Sequence, residues 1–222
     1  LFCAMQGKYD KRSGKDDIRP EHQNGNYLDS LVDTAADWFE PYKGNLAIIG
    51  DGNHESAMLK HHETDILERL VSKLRDRGAV SCRHGGYSGY IRFMTQHEAG
   101  GKYKSLRLYY HHGSGGGSPV TKGAIQYNRM REGFDADIYV SGHIHRQNTN
   151  KQMVARLNEA NQIEQVKKYY VRTSTYKEEW SGGVGGFHTE RGMGPRPIGG
   201  YWLKLSYKNG DLRYTVAETE GQ

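Results

Sequence analysis

Apolar positions along the chain fall into short segments whose period changes from helical to alternating. From Tyr27 onward Leu28, Leu31, Val32, Ala35 and Phe39 recur at helical spacing, and the pattern stops at Pro41 and Gly44. Leu46 to Ile49 is a continuous apolar run ending at Gly50, the signature of a strand buried on both faces, with a loop expected after it. Between Thr64 and Arg77 the helical period returns with Ile66, Leu67, Leu70, Val71 and Leu74, and Gly78 stands where a helix stops. Ala79 to Cys82, Tyr87 to Thr95 and Leu106 to Tyr110 read as strands between glycine-rich turns. A short helix from Lys122 to Glu132 then precedes a strand at Ile138 to Val140, an order that predicts α/β character with parallel strands. Beyond His145 the pattern is mostly β: Gln152 to Leu157, Val166 to Thr173, Tyr201 to Tyr207 and Leu212 to Val216, the last two joined by a hairpin turn at Lys208-Asn209-Gly210-Asp211. Lys8 to Gln23 and the glycine-rich stretch Trp180 to Gly200 read as loops. No internal repeat or domain boundary is visible, so residues 1–222 are expected to form a single domain.

Composition narrows the function. No apolar run approaches the roughly 18 residues a membrane helix needs, and with a mean hydropathy of -0.86 no membrane partner is expected. Two cysteines, Cys3 and Cys82, are too few for a disulfide framework, and the first residues lack the layout of a signal peptide, which together suggest a cytoplasmic protein. A net charge of +5 favours anionic partners, although the 31 basic residues are interspersed with 26 acidic ones and form no dense basic arm.

Three segments place metal-capable side chains just after a predicted strand: Gly50-Asp51-Gly52-Asn53-His54-Glu55, His111-His112-Gly113 and Gly142-His143-Ile144-His145. In sheets of this class the carboxyl ends of the strands converge on one crevice, so residues distant in sequence can meet there. Neutral imidazole nitrogens and an Asn carbonyl oxygen can together hold Zn, Mn or Fe. Gly142 would permit the turn that aims His143 and His145 at one site. The plainer account is chance, since 11 histidines on a polar surface produce some pairs.

Taken together, G-N-H-E at 52 to 55, H-H-G at 111 to 113 and G-H-I-H at 142 to 145 resemble the third, fourth and fifth motifs of the calcineurin-like metallophosphoesterases. The resemblance covers about residues 26 to 217. It implies a two-sheet β-sandwich flanked by helices, with two divalent ions, Mn, Fe or Zn, at the strand ends. Asn53, His112 and His143 would bind one ion and His145 would reach the other. His54 would be the catalytic histidine that supports the leaving oxygen. Glu55 would fix the loop, and His111, pointing away from His112 on strand alternation, would be a packed or surface residue.

The implied activity is hydrolysis of a phosphomonoester or phosphodiester, with a nucleotide or nucleic acid among the candidates. The alternative is a noncatalytic binding or scaffold protein that keeps the fold. Arg146 and Arg172 could bind phosphate bidentately, with surface ion pairing as the plainer role. Trp180, Phe187 and His188 are candidates to cap the crevice. The first two motifs of the family, D-x-H and G-D-x-x-D, are not found, so the sequence reads as N-terminally truncated. In that form it is expected to lack its first strand or strands, to bind at most one ion well and to be weakly active or inactive.

Overall fold

The structure is a computed structural model and describes residues 2, 19–98, 100–116, 120–121, 123–176, 180, 184, 187–190 and 192–219. It divides into two compact units, Leu1–Gly89 and Tyr90–Gln222.

In the first unit α1 (Tyr27–Phe39) is followed by β1 (Ile48–Ile49), α2 (Asn53–His62), α3 (Ile66–Asp76) and β2 (Arg83–His84). The helical period anticipated for α3 buries all five of its apolar residues, Ile66, Leu67, Leu70, Val71 and Leu74. They pack with Val32 and Ala36 of α1, Met58 of α2 and Ile49, Ala79 and Cys82 in one core. The rim of α1 and α3 carries a ladder of ion pairs, Asp29–Arg69, Asp33–Lys73 and Asp37–Arg77. Acid and base are 40 residues apart at every rung, and rungs recur every four residues, so the two helices run in the same direction. β1 and β2 pair in parallel through the α2–α3 crossover.

Three expectations fail in this unit. The run Leu46 to Ile49 is strand only at Ile48–Ile49, where β2 offers two pairing residues, and it is not buried on both faces, Ala47 being exposed and Ile49 alone buried. Ala79 to Cys82 is a turn, because the Ala79 and Cys82 N–H groups donate to Leu74 and Ala79 carbonyls, and strand pairing starts only at Arg83. The expected loop after β1 becomes helix at Asn53, for a reason given below.

The second unit is a five-stranded mixed sheet in the order β3-β4-β5-β7-β6. Its strands are β3 (Ser88–Gln96), β4 (Tyr103–His111), β5 (Ile138–Ser141), β6 (Asn148–Leu157) and β7 (Ile163–Arg172). β4, β5 and β7 are parallel to one another and β6 is antiparallel to β7. Helix α4 (Ala124–Gly133) connects β4 to β5, and a four-residue helix α5 (Phe187–Glu190) lies in the expected glycine-rich loop. β8 (Tyr201–Lys208) and β9 (Asp211–Glu218) form a separate antiparallel hairpin. Its turn residues Asn209 and Gly210 have φ of 55° and 77°, the left-handed pair that a tight two-residue hairpin turn requires.

Alternation along the sheet sends side chains to two different layers. Tyr109, Tyr139 and Tyr170 cluster with Tyr127 and Met130 of α4. Leu106, Ile138 and Val171 meet Tyr201, Leu203 and Leu205 of β8 and Leu212, Tyr214 and Val216 of β9. The chain is therefore mixed α/β, as its pattern predicts. Among the described residues no helix is long and apolar enough to cross a membrane. Cys3 and most of the Lys8 to Gln23 stretch lie outside the described residues, and Pro20–His22 is a single 3-10 turn.

Candidate functional site

The second unit brings two of the predicted ligands together. His111 at the end of β4 is the Cα partner of Ser141 at the end of β5, so the next residues leave the sheet side by side, and Gly142 N–H donates to the His112 carbonyl at 2.9 Å. His143 Nδ1 then faces His112 Nε2 at 3.2 Å. Two ring nitrogens sharing one ion at about 2.1 Å stand roughly 3.0 Å apart in an octahedron and roughly 3.4 Å apart in a tetrahedron. The observed separation fits a shared ion in either geometry.

The close approach depends on Gly113. Its φ is 107°, and a Cβ there would lie 2.8 Å from the Gly142 carbonyl oxygen and 2.9 Å from His143 Cβ. His111 reinforces the same turn, its Nδ1 accepting from Gly113 N–H at 2.8 Å. Burial lowers the His111 pKa, which keeps that acceptor nitrogen unprotonated. His111 is thus a packed shaping residue, while the left-handed backbone of the turn falls not on Gly142 but on the histidines, with φ of 73° at His143 and 52° at His145. Each such non-glycine residue stores on the order of 1–3 kcal/mol of strain, which the surrounding packing must overcome. The His145 ring stands edge-on to that of buried His188, with centroids 6.4 Å apart.

Asn53 and His54 belong to the first unit, where they open α2 half-buried. The helix begins there because Glu55, its third residue, turns back to accept from Gly52 N–H at 3.0 Å. The same carboxylate accepts from Phe2 N–H at 2.9 Å and is itself buried. Glu55 therefore fixes the segment, as expected, although the segment is helix and not loop.

A charged cluster in the first unit went unread in the sequence. His84 Nε2 lies 2.9 Å from Asp51, and its Nδ1 lies 3.1 Å from Glu68 and 3.8 Å from Asp65. Burial opposes a charged ring, but the surrounding carboxylates outweigh it and hold the His84 pKa above its ordinary value. Asp51, Asp65 and His84 could each offer a ligand atom to one ion. With carboxylates on both ring nitrogens a charged ring would satisfy the cluster without an ion, and Asp65 also caps α3 by accepting from Glu68 N–H. No spacing in the sequence marks it, because His84 is brought to Asp51 only by the β1–β2 pairing. A groove on α3 lined by Glu68, Ser72, Arg75, Asp76 and Val80 contains none of the predicted residues.

Arg146 follows His145 half-buried, and its Nε has no hydrogen-bond partner. Arg172 differs from the surface ion-pair expectation. It is fully buried at the end of β7, donates to Gln126 Oε1 at 2.9 Å and to the Gly123 carbonyl at 3.3 Å, and lies over the Tyr127 ring at 5.0 Å. The Phe187 side chain lies outside the described residues. Comparison of the chain with family models, curated proteins and solved structures returns no match, so the meaning of this site rests on its chemistry.

Proposed function

We propose that this chain is a metallophosphoesterase of the calcineurin-like kind, hydrolysing phosphate esters with divalent metal ions. The observation that carries the reading is the His112–His143 pair, two imidazole nitrogens 3.2 Å apart at the carboxyl ends of adjacent parallel strands. A hydrogen bond between two imidazoles does not require left-handed backbone at His143 or a glycine pinned at position 113, whereas convergence of the two ring nitrogens on one ion accounts for both. The layering of α4, the mixed sheet and the β8–β9 hairpin supports the helix-flanked two-sheet architecture of the same reading.

In this reading His112 and His143 hold one ion and His145 reaches the other, with Mn, Fe or Zn suited to imidazole nitrogen donors. The ions supply Lewis acidity toward the phosphoryl oxygens and activation of the attacking water. The resemblance assigns proton donation toward the departing oxygen to His54, and the Arg146 guanidinium binds a phosphate group of the substrate. The net charge of +5 favours nucleotide or nucleic-acid esters over neutral substrates.

The test is hydrolysis of p-nitrophenyl phosphate and bis-p-nitrophenyl phosphate with and without Mn, beside equilibrium dialysis of Mn. Expected are at most weak, Mn-dependent turnover that His54→Ala abolishes, and Mn binding lost in His112→Ala and His143→Ala. Unchanged Mn binding in both histidine variants overturns the site. Tight Mn binding with no turnover of either ester moves the chain to a noncatalytic binding role.

A further inference from the structure

Three arginines from separate stretches of the second unit gather at the carboxyl end of β7. Arg172 is the last residue of that strand, with Ser141 and Asn148 as its Cα partners on either side. Arg146 and Gln147 immediately precede Asn148. Arg196 is carried in by the segment beyond it, where Ile198 bridges Thr175, Gly199 N–H donates to the Thr175 carbonyl at 3.1 Å and Ser174 donates to the Pro197 carbonyl. This end of β7 lies beside the end of β5, from which His143 and His145 emerge.

These cations are not neutralised in the manner of others in the molecule. Among the described residues no carboxylate pairs with Arg146 or Arg196, whereas Arg107, Arg156 and Lys168 of the same unit each have one within 4 Å. Nε of Arg146 and Nε of Arg196 are buried donors without a hydrogen-bond partner among the described residues, and the buried Gln147 amide, with two N–H donors, is engaged by the single Tyr201 hydroxyl. Among the described residues Arg196 is further engaged through Nη2 and the Met193 sulfur at 3.5 Å, a weak acceptor. Burial presses the Arg172 and Arg196 pKa values below the ordinary guanidinium value, with Tyr127 opposing it at Arg172, and the charge of Arg146 adds to the lowering at both, so Arg146 repels each of the other two. Buried donors left open beside mutually repelling cations are unfavourable in a resting protein and favourable around an anion.

Arg172 is the fixed member. Its guanidinium is held by Gln126 and Gly123, so it contributes field and position while Arg146, Gln147 and Arg196 retain donors to offer. We propose that Arg146, Gln147 and Arg196 form a subsite for a phosphate other than the one cleaved, so that the substrate carries a second phosphoryl group. This rests on the phosphoesterase reading for its meaning, but binding at the subsite needs no metal. A nucleoside diphosphate and a nucleic-acid strand both present that chemistry.

The experiment is titration of the chain with inorganic pyrophosphate in excess EDTA, followed by calorimetry, for the wild type and for Arg146→Gln, Arg196→Gln, Arg196→Lys and His143→Ala. Expected are saturable binding by the wild type, at least tenfold weaker binding in both Gln variants, partial recovery in Arg196→Lys and no change in His143→Ala. Absence of wild-type binding, or equal affinity in both Gln variants, overturns the subsite. Loss confined to His143→Ala overturns it too, by placing the anion on the histidines. Because EDTA removes the ions, failure of the metal reading leaves these outcomes untouched. Repeating the titration with ADP and with the dinucleotide pTpT then assigns the second phosphate, the tighter ligand naming a nucleotide or a strand.

Discussion

The parallel strands β4, β5 and β7 have two ends, and the chain treats them oppositely. At the amino end Asp135 pairs with Arg107 at 2.8 Å and Lys168 at 2.9 Å, while Asp137 accepts from Arg107 N–H at 2.8 Å. Charges there are matched, and the segment that enters β5, residues 134–137, has no left-handed residue. At the carboxyl end His143 and His145 sit in left-handed backbone, Gly113 and Gly123 have φ of 107° and 91°, and the described arginines outnumber the acids that face them. The sheet supplies the stability that this second end forgoes, so strain and uncompensated charge mark where ligands are to bind.

The largest expected break in that contrast is Gly123→Ala. A Cβ at this position would lie 1.7 Å from Arg172 Nη1, at a φ that disfavours any L side chain, so both α4 and the buried guanidinium must move. The expected loss is about 3–5 kcal/mol from strain and overpacking together, read as a fall in the urea midpoint. Arg172→Met in the Gly123→Ala background should recover part of it, since a flexible apolar side chain can vacate the space. A melt unchanged by Gly123→Ala would mean that Arg172 does not tie α4 to β7.

Gly113→Ala comes next, at about 2–4 kcal/mol, because its Cβ meets backbone and a Cβ atom that cannot rotate away. Unlike Gly123→Ala it acts directly on the His112–His143 spacing, so Mn affinity should fall by at least tenfold even where the protein remains folded. Equal Mn affinity in the two proteins would detach the glycine from the metal site.

What could be read in the sequence, and what could not, follows the same division. α1, α3 and the β8–β9 hairpin were legible because their signals are local: five apolar residues at helical spacing in α3, and Asn-Gly between two alternating runs. The candidate ligands His112, His143 and His145 were legible because each follows an apolar strand. Arg172 was not, because its burial depends on a glycine 49 residues away that leaves room for its guanidinium. Ala79 to Cys82 has strand composition, yet the turn that closes α3 takes its backbone donors. The sequence marks Gly142 as the residue that permits the turn, while the left-handed backbone falls on His143 and His145, which no local signal marks.

A smaller effect separates the two ends by sign. Asp137→Ala at the amino end leaves the Arg107 N–H without its acceptor and should destabilise by about 1–2 kcal/mol. Arg196→Gln at the carboxyl end removes a cation that repels its neighbours, and stability should hold or rise by up to about 1 kcal/mol. Parallel urea titrations of the two variants decide it. A destabilising Arg196→Gln would mean that Arg196 is a structural residue.

The smallest effect is a difference in acid sensitivity. Burial depresses the His111 pKa, so its contribution is complete above the unfolded histidine value of about 6.5 and is lost as pH falls through the folded value. Protonation there also removes the lone pair that accepts from Gly113 N–H, which loosens the turn holding His112 against His143. Asp135 is held below the usual carboxylate value by its hydrogen bond from Lys168, against a lesser opposing effect of burial, so its contribution is complete above about 3.9 and fades only at lower pH. The carboxyl end should therefore loosen first on acidification. Hydrogen exchange at the Gly113 and Gly142 amides should accelerate, after correction for intrinsic rates, as pH falls below the unfolded histidine value of about 6.5, while the Arg107 amide stays protected. His111→Asn, which keeps an acceptor in that turn and does not titrate, should abolish the early step. Simultaneous loosening of both ends in the wild type would show that the sheet opens as one unit and that His111 does not govern the turn.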